Sequence, residues 1–210
     1  MSATRTTTLP GFDGAALAVH EVGEADARPV LLLHGLFSSA EVNWIKYGHA
    51  ATIAARGFRV IMPDFRVHGA SAAPHDAAAY PPQVLVRDVL ALIEAMGLTD
   101  FDLGGFSLGA RTVAALLVEG VRPRRAILAG MGLEGLSGWT DRRQFFLDAI
   151  ALRETVTRDD SHFMAVMFMR TMKIDPVAAT LLLEAGSDID MAALVAVDVP
   201  VAVICGDEDQ

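Results

Sequence analysis

Five short apolar runs recur along this 210-residue chain, at residues 29–33, 58–62, 101–106, 125–129 and 199–205. Each is too short to pay its way as a helix, is rich in Val, Ile, Leu or Ala, and stops abruptly at His, Pro, Gly or Ser. That is the pattern of strands buried on both faces, as in a parallel sheet. Between them lie stretches of helical spacing: residues 50–56, stopped by Gly57; residues 82–96, with Val86, Val89, Leu90 and Ile93 on one stripe; and residues 108–119, stopped by Gly120. Strands alternating with helices over short connections predict an α/β fold, doubly wound, with a mostly parallel sheet. Two earlier runs, residues 6–9 and 15–21, are parted by Pro10-Gly11-Phe12-Asp13-Gly14 and predict an antiparallel hairpin.

From Leu133 the rhythm changes. Residues 141–153, 160–172 and 176–185 are helical in succession with no strand between them, which predicts a helical cap inserted into the sheet domain. The expected organisation is a core over residues 1–132, a cap over 133–198 and a return to the core sheet over 199–210. Phe145, Phe146, Phe163, Met164, Met167, Phe168, Met169 and Met172 give that cap an apolar, adaptable surface.

Composition narrows the function. With 52% hydrophobic and 20% charged residues the chain is far too apolar for disorder. Twenty-six acidic against seventeen basic residues, a formal net charge of -9, do not fit a general nucleic-acid binder. No apolar run approaches the roughly 20 residues that span a bilayer, and the first residues lack the apolar segment of a signal peptide. The one cysteine, Cys205, can make neither an internal disulfide nor a Cys-based zinc site. The expectation is a cytoplasmic protein that needs neither metal nor organic cofactor, since it has neither a cluster of ligands at metal spacing nor a phosphate-binding glycine loop.

The strongest chemical signal is Gly105-Phe-Ser107-Leu-Gly109, placed where a strand meets a helix. Flanking glycines permit the crowded turn that lifts a serine hydroxyl above a sheet, and the N-terminus of the following helix favours developing negative charge. His34-Gly35-Leu36 ends an earlier strand on the same rim, so the Leu36 and Leu108 backbone amides are the candidate oxyanion donors. The His34 side chain is expected to bond loop backbone instead. Arg122, Arg124 and Arg125 precede a strand, away from this rim, and predict a solvated basic surface.

These residues, together with Asp64-Phe-Arg66-Val-His68-Gly69-Ala-Ser71 and Gly206-Asp-Glu-Asp209, occur in an order that resembles the α/β-hydrolase fold superfamily. Val67 stands where glycine is usual, and Asp64, Arg66 and His68 are expected to tie their loop down. The resemblance implies a triad in the order serine, acid, histidine. Ser107 is then the nucleophile and Asp209 the acid, with Asp207 and Glu134 as alternatives. No histidine follows Asp209; the six present are at 20, 34, 49, 68, 75 and 162. Against the family pattern the last strand, a helix and the histidine loop are expected to be absent. This would leave a sheet edge uncovered and open to self-association. The implied function is a serine esterase acting on small acyl substrates. The alternative is an inactive binding protein or remnant on the same scaffold, and recruitment of His162 from the cap is a weaker third possibility.

Overall fold

The structure, a computed structural model, describes residues 3–206. Its sheet has seven strands: β1 (Arg5–Pro10), β2 (Ala16–Val22), β3 (Arg28–Leu33), β4 (Phe58–Pro63), β5 (Asp102–Phe106), β6 (Arg125–Ala129) and β7 (Val201–Ile204), in the spatial order β1-β2-β4-β3-β5-β6-β7. The β1–β2 hairpin is antiparallel and joins β4 antiparallel, while β4, β3, β5, β6 and β7 run parallel. From β3 the chain crosses to β4 on one side and later returns to β5 on the other. The carboxyl ends of β3 and β5 therefore flank the point where the winding reverses, which is where an open α/β sheet leaves a crevice.

Helix α1 (His49–Ala54) packs on β2 and β4 from one face, closing a small cluster of Val22, Leu32, Ala50, Val60 and Met62. Helices α2 (Val84–Ala95) and α3 (Leu108–Val118) lie on the other face over the main core, with α3 against β3, β5 and β6. Alternation within one strand explains both clusters: in β3, Leu31 and Leu33 join the main core and Leu32 the small one.

Residues 133–195, where a cap was expected, form five successive helices, α4 (Leu133–Ser137), α5 (Trp139–Ala151), α6 (Phe163–Thr171), α7 (Pro176–Glu184) and α8 (Met191–Val195), with no strand between them. Three are the expected helices with ends shifted by a few residues. In α6 the shift has a visible cause: the Asp160 carboxylate accepts the His162 N–H and turns the chain before the helix starts. The short α4 and α8 were not anticipated, nor was the π-helical turn Glu41–Ile45 after β3.

One expectation needs correction. Residues 199–205 read as a strand buried on both faces, yet every residue of β7 is exposed. It is an edge strand paired only with β6 among the described residues, and α1 covers only the β2–β4 side. Phe106, Ile127 and Ile204 consequently remain on an open face.

Candidate active site

Ser107 sits at the tight turn between β5 and α3 with φ 53° and ψ −114°, a backbone conformation that a side-chain-bearing residue adopts only when its surroundings impose it. The imposition is visible. Ser107 N–H donates to the Ala129 carbonyl (2.8 Å), and Arg111 N–H closes the first turn of α3 on the Ser107 carbonyl (3.0 Å). The two flanking glycines are required by contact. A Cβ on Gly105 would lie 2.2 Å from the Gly109 carbonyl carbon, and one on Gly109 would lie 2.1 Å from the Leu33 carbonyl oxygen. The elbow is thus pressed between its own helix and the end of β3, and Ser107 stays half-buried at the crevice.

The loop after β3 lies directly beside it. A Cβ on Gly35 would be 3.5 Å from Ser107 Cβ and 3.3 Å from the Phe106 ring. Asn43, on the π-helical turn, accepts the Gly35 N–H at 2.8 Å. The Leu36 and Leu108 amides carry no hydrogen bond among the described residues. Leu108 is the first residue of its helix, so its N–H has no partner within the helix. Two unoccupied donors beside a serine hydroxyl, one at a helix N-terminus, are what charge developing on a carbonyl oxygen requires.

Two buried histidines hold this loop in place by a reciprocal exchange. His34, at the end of β3, accepts the Phe65 N–H on Nε2 (2.9 Å), and its Nδ1 donates to the Gly35 carbonyl (2.8 Å). His68, in the loop after β4, accepts the Phe37 N–H on Nε2 (3.0 Å), and its Nδ1 donates to the Arg66 carbonyl (2.8 Å). A ring nitrogen that accepts an amide carries no proton, so both rings are neutral with the proton on Nδ1. Burial, the main cause, pushes His34 down to about 4 and His68 down to about 3, the latter helped by the neighbouring His34. Phe37 has φ 57°, and its bond to His68 anchors that conformation next to Leu36.

Asp64 completes the frame. It accepts the Ala40 N–H (2.8 Å), the Ala70 N–H (3.0 Å) and the His20 ring (3.2 Å). Burial pushes its carboxyl up, but these donors outweigh that and hold it below the usual carboxylate range. Arg66 is buried completely and grips Asp88 and Asp13, each through two hydrogen bonds. Asp64, Arg66 and His68 are therefore engaged in scaffold bonds.

Ser107 Oγ has no hydrogen bond among the described residues. The histidines are placed elsewhere. His20 bridges Thr6 and Asp64, His49 is exposed at the start of α1, and His75 pairs with Asp175. His162 binds Asp160 and stacks on Phe145 with ring centroids 4.6 Å apart. Glu134 is exposed in the first turn of α4. Asp207 and Asp209 lie outside the described residues. No group of three or more His, Cys, Asp or Glu among the described residues could hold a metal ion, and no described helix is long and apolar enough to cross a membrane.

Sequence reading missed two residues of this neighbourhood. Asn43 carries no pattern that marks it, because its partner Gly35 is met only when the π-helical turn folds back. Arg111 is buried, stacks on the Trp139 ring at 4.8 Å and donates to the Gly135, Leu136 and Ser187 carbonyls. Burial lowers it to about 10. A charged residue on the buried side of an apolar helix was the available signal. Arg111 ties the helix behind Ser107 to the cap.

Comparison with known proteins agrees with this fold. Residues 28–127 match the family described as alpha/beta hydrolase fold. An epoxide hydrolase from Caballeronia sordidicola is 37% identical over 98 residues, 47% of this chain but 28% of that protein. This chain therefore matches under a third of that relative's length. A hydrolase from Pseudomonas aeruginosa superposes with a TM-score of 0.69 at 23% identity, covering 96% of this chain and 80% of its own. An esterase from Exiguobacterium antarcticum superposes with a TM-score of 0.72 at 18% identity, covering 95% and 80%.

Proposed function

Because this chain has the fold of the α/β-hydrolases, we propose that it is a serine hydrolase of small carboxylic esters or related acyl substrates. The observation that carries this reading is the strained, half-buried Ser107 beside two amides, Leu36 and Leu108, that have no other hydrogen-bond partner among the described residues. Ser107 Oγ attacks the acyl carbonyl carbon, the carbonyl oxygen takes the electron pair and is held by the two amides, and the alcohol leaves. Water then cleaves the acyl-enzyme ester. Attack demands a base for the Ser107 proton, and none of the described histidines is bonded to it. Asp209 is the proposed acid that orients such a base, outside the described residues.

Epoxide opening is the competing reading, because the epoxide hydrolase matches in sequence. The chemistry of Ser107 argues against it: attack on an epoxide carbon would leave an ether, which water does not cleave, whereas attack on an acyl carbon leaves an ester, which it does. The test is labelling of the chain with a fluorophosphonate probe beside Ser107→Ala, with both shown to fold. Labelling that Ser107→Ala abolishes is the result this reading requires, and because no described histidine is bonded to Ser107 it would also mean that a base reaches the serine by a contact other than those described. A folded chain that stays unlabelled would favour a non-catalytic binding protein on the same scaffold.

A further inference from the structure

A cleft of about 220 Å³ runs along the outer face of α3, between it, the start of α2 and residues 182–190. Its wall on α3 is the stripe Leu108, Thr112, Ala115 and Val118, which at 1.5 Å per residue extends about 15 Å from the elbow. Leu36 and Leu108, whose amides are the proposed oxyanion donors, also line this cleft. The cleft thus begins at these two residues, next in sequence to the elbow and its neighbouring loop, and continues away along the helix. Trp139, Val84 and Leu183 make much of the remaining wall.

The charges around it select further. Arg111 lies in the wall, but its guanidinium is occupied by backbone carbonyls of the cap and pairs with Asp188 at 3.8 Å. Asp188 also accepts the Trp139 N–H at 2.9 Å, and Asp190 accepts the Ala193 N–H at 3.0 Å. With Glu119 at the far end, three carboxylates face one cation. A chain ending in a carboxylate is repelled there, and an apolar one loses only water.

We propose that this cleft is the acyl-chain site, taking a neutral, apolar acyl group of about nine heavy atoms, on the scale that a dry cavity of roughly 150 Å³ holds one benzene. The proposal rests on the serine hydrolase reading, because that reading places the acyl carbonyl at Leu36 and Leu108. Ala115, small and half-buried midway along the stripe, sets how far the chain reaches.

The test is binding to the Ser107→Ala chain, which needs no turnover. With Trp44→Phe, Trp139 is the sole tryptophan and reports on the cleft. Octanamide should change its emission and bind at least tenfold more tightly than butanamide; full burial of four methylenes would give about 200-fold. Ala115→Phe, or Val118→Phe should the first variant not fold, should weaken octanamide at least tenfold. Equal affinities for the two amides, or octanamide binding unchanged by a folded blocking variant, would overturn the proposal. The fluorophosphonate experiment separates the two claims. Labelled Ser107 without octanamide selectivity sinks the cleft and leaves the hydrolase. Octanamide bound in the cleft of a chain whose Ser107 stays unlabelled sinks the hydrolase and leaves the cleft a binding site.

Discussion

Replacing Arg66 by methionine should be among the most damaging single changes in this protein. Its guanidinium is fully buried, bonded to Asp88 at 2.8 and 2.9 Å, to Asp13 at 2.7 and 2.9 Å and to the Ala79 carbonyl at 2.8 Å. The Phe12 and Tyr80 rings lie 5.2 and 5.9 Å from it. The hydrogen bond to Arg66 holds the Asp13 carboxyl down to about 2, whereas burial of Asp88 pushes its carboxyl up despite the same partner. Methionine fills much of the volume but strands Asp88, which is 2% exposed. An orphaned buried charge costs about 3–5 kcal/mol. With a urea slope of about 2.5 kcal/mol/M for a chain of this size, the unfolding midpoint should fall by about 1–2 M. The double variant Arg66→Met with Asp88→Leu removes the orphan, and Asp13, whose side chain is 29% exposed, can turn to water. It should recover at least about 2 kcal/mol relative to Arg66→Met alone. A double variant no better than the single one, or an Arg66→Met midpoint within about 0.3 M of the parent, would refute this account.

Two further expectations concern the site. His34 and His68 are held near 4 and 3 when folded but titrate near 6.5 when unfolded, so the unfolded chain takes up protons that the folded one refuses. Their contribution is complete above about pH 6.5 and is lost as pH falls from there toward about 4 for His34 and about 3 for His68, each adding at most about 1.4 kcal/mol per pH unit. Urea melts between pH 7 and 5 should show this slope, and His68→Gln should remove about half of it; an unchanged slope in the variant would exclude His68 as a source. Ser107→Gly relieves the backbone strain at φ 53°. A gain of about 1 kcal/mol would raise Tm by about 2–4 °C, while Ser107→Ala should show no such gain, and equal melting temperatures would remove strain from the account of the elbow.

Much of this fold is legible because its signals are local. The β3, β4, β5 and β6 runs are apolar on both faces, and the glycines that end α2 and α3 act on their own neighbours. The Ser107 elbow is equally local in its pattern, since Gly105 and Gly109 are spaced by the turn that needs them. The exposure of the faces of β7 was not legible in its own run, which looks the same whether its strand is central or at the edge; the uncovered edge was expected only from the family resemblance. The helix ends in the cap drifted because side-chain turns such as Asp160 to His162 compete with the first helical turn.

The sequence by itself determined the order of strands and helices, the parallel core and the placing of a serine at a strand-to-helix turn, because each follows from neighbours within a few residues. Tertiary structure alone decided how the site is held. His34 reaches Phe65, His68 reaches back to Phe37, Arg66 gathers Asp13 and Asp88, and Arg111 joins the helix behind Ser107 to Ser187. These partners are separated by 22 to 76 residues and carry no mutual spacing. They meet only because the sheet brings the loops after β3 and β4 side by side and the cap back over α3. Burial then obliges each polar group to find its partner there.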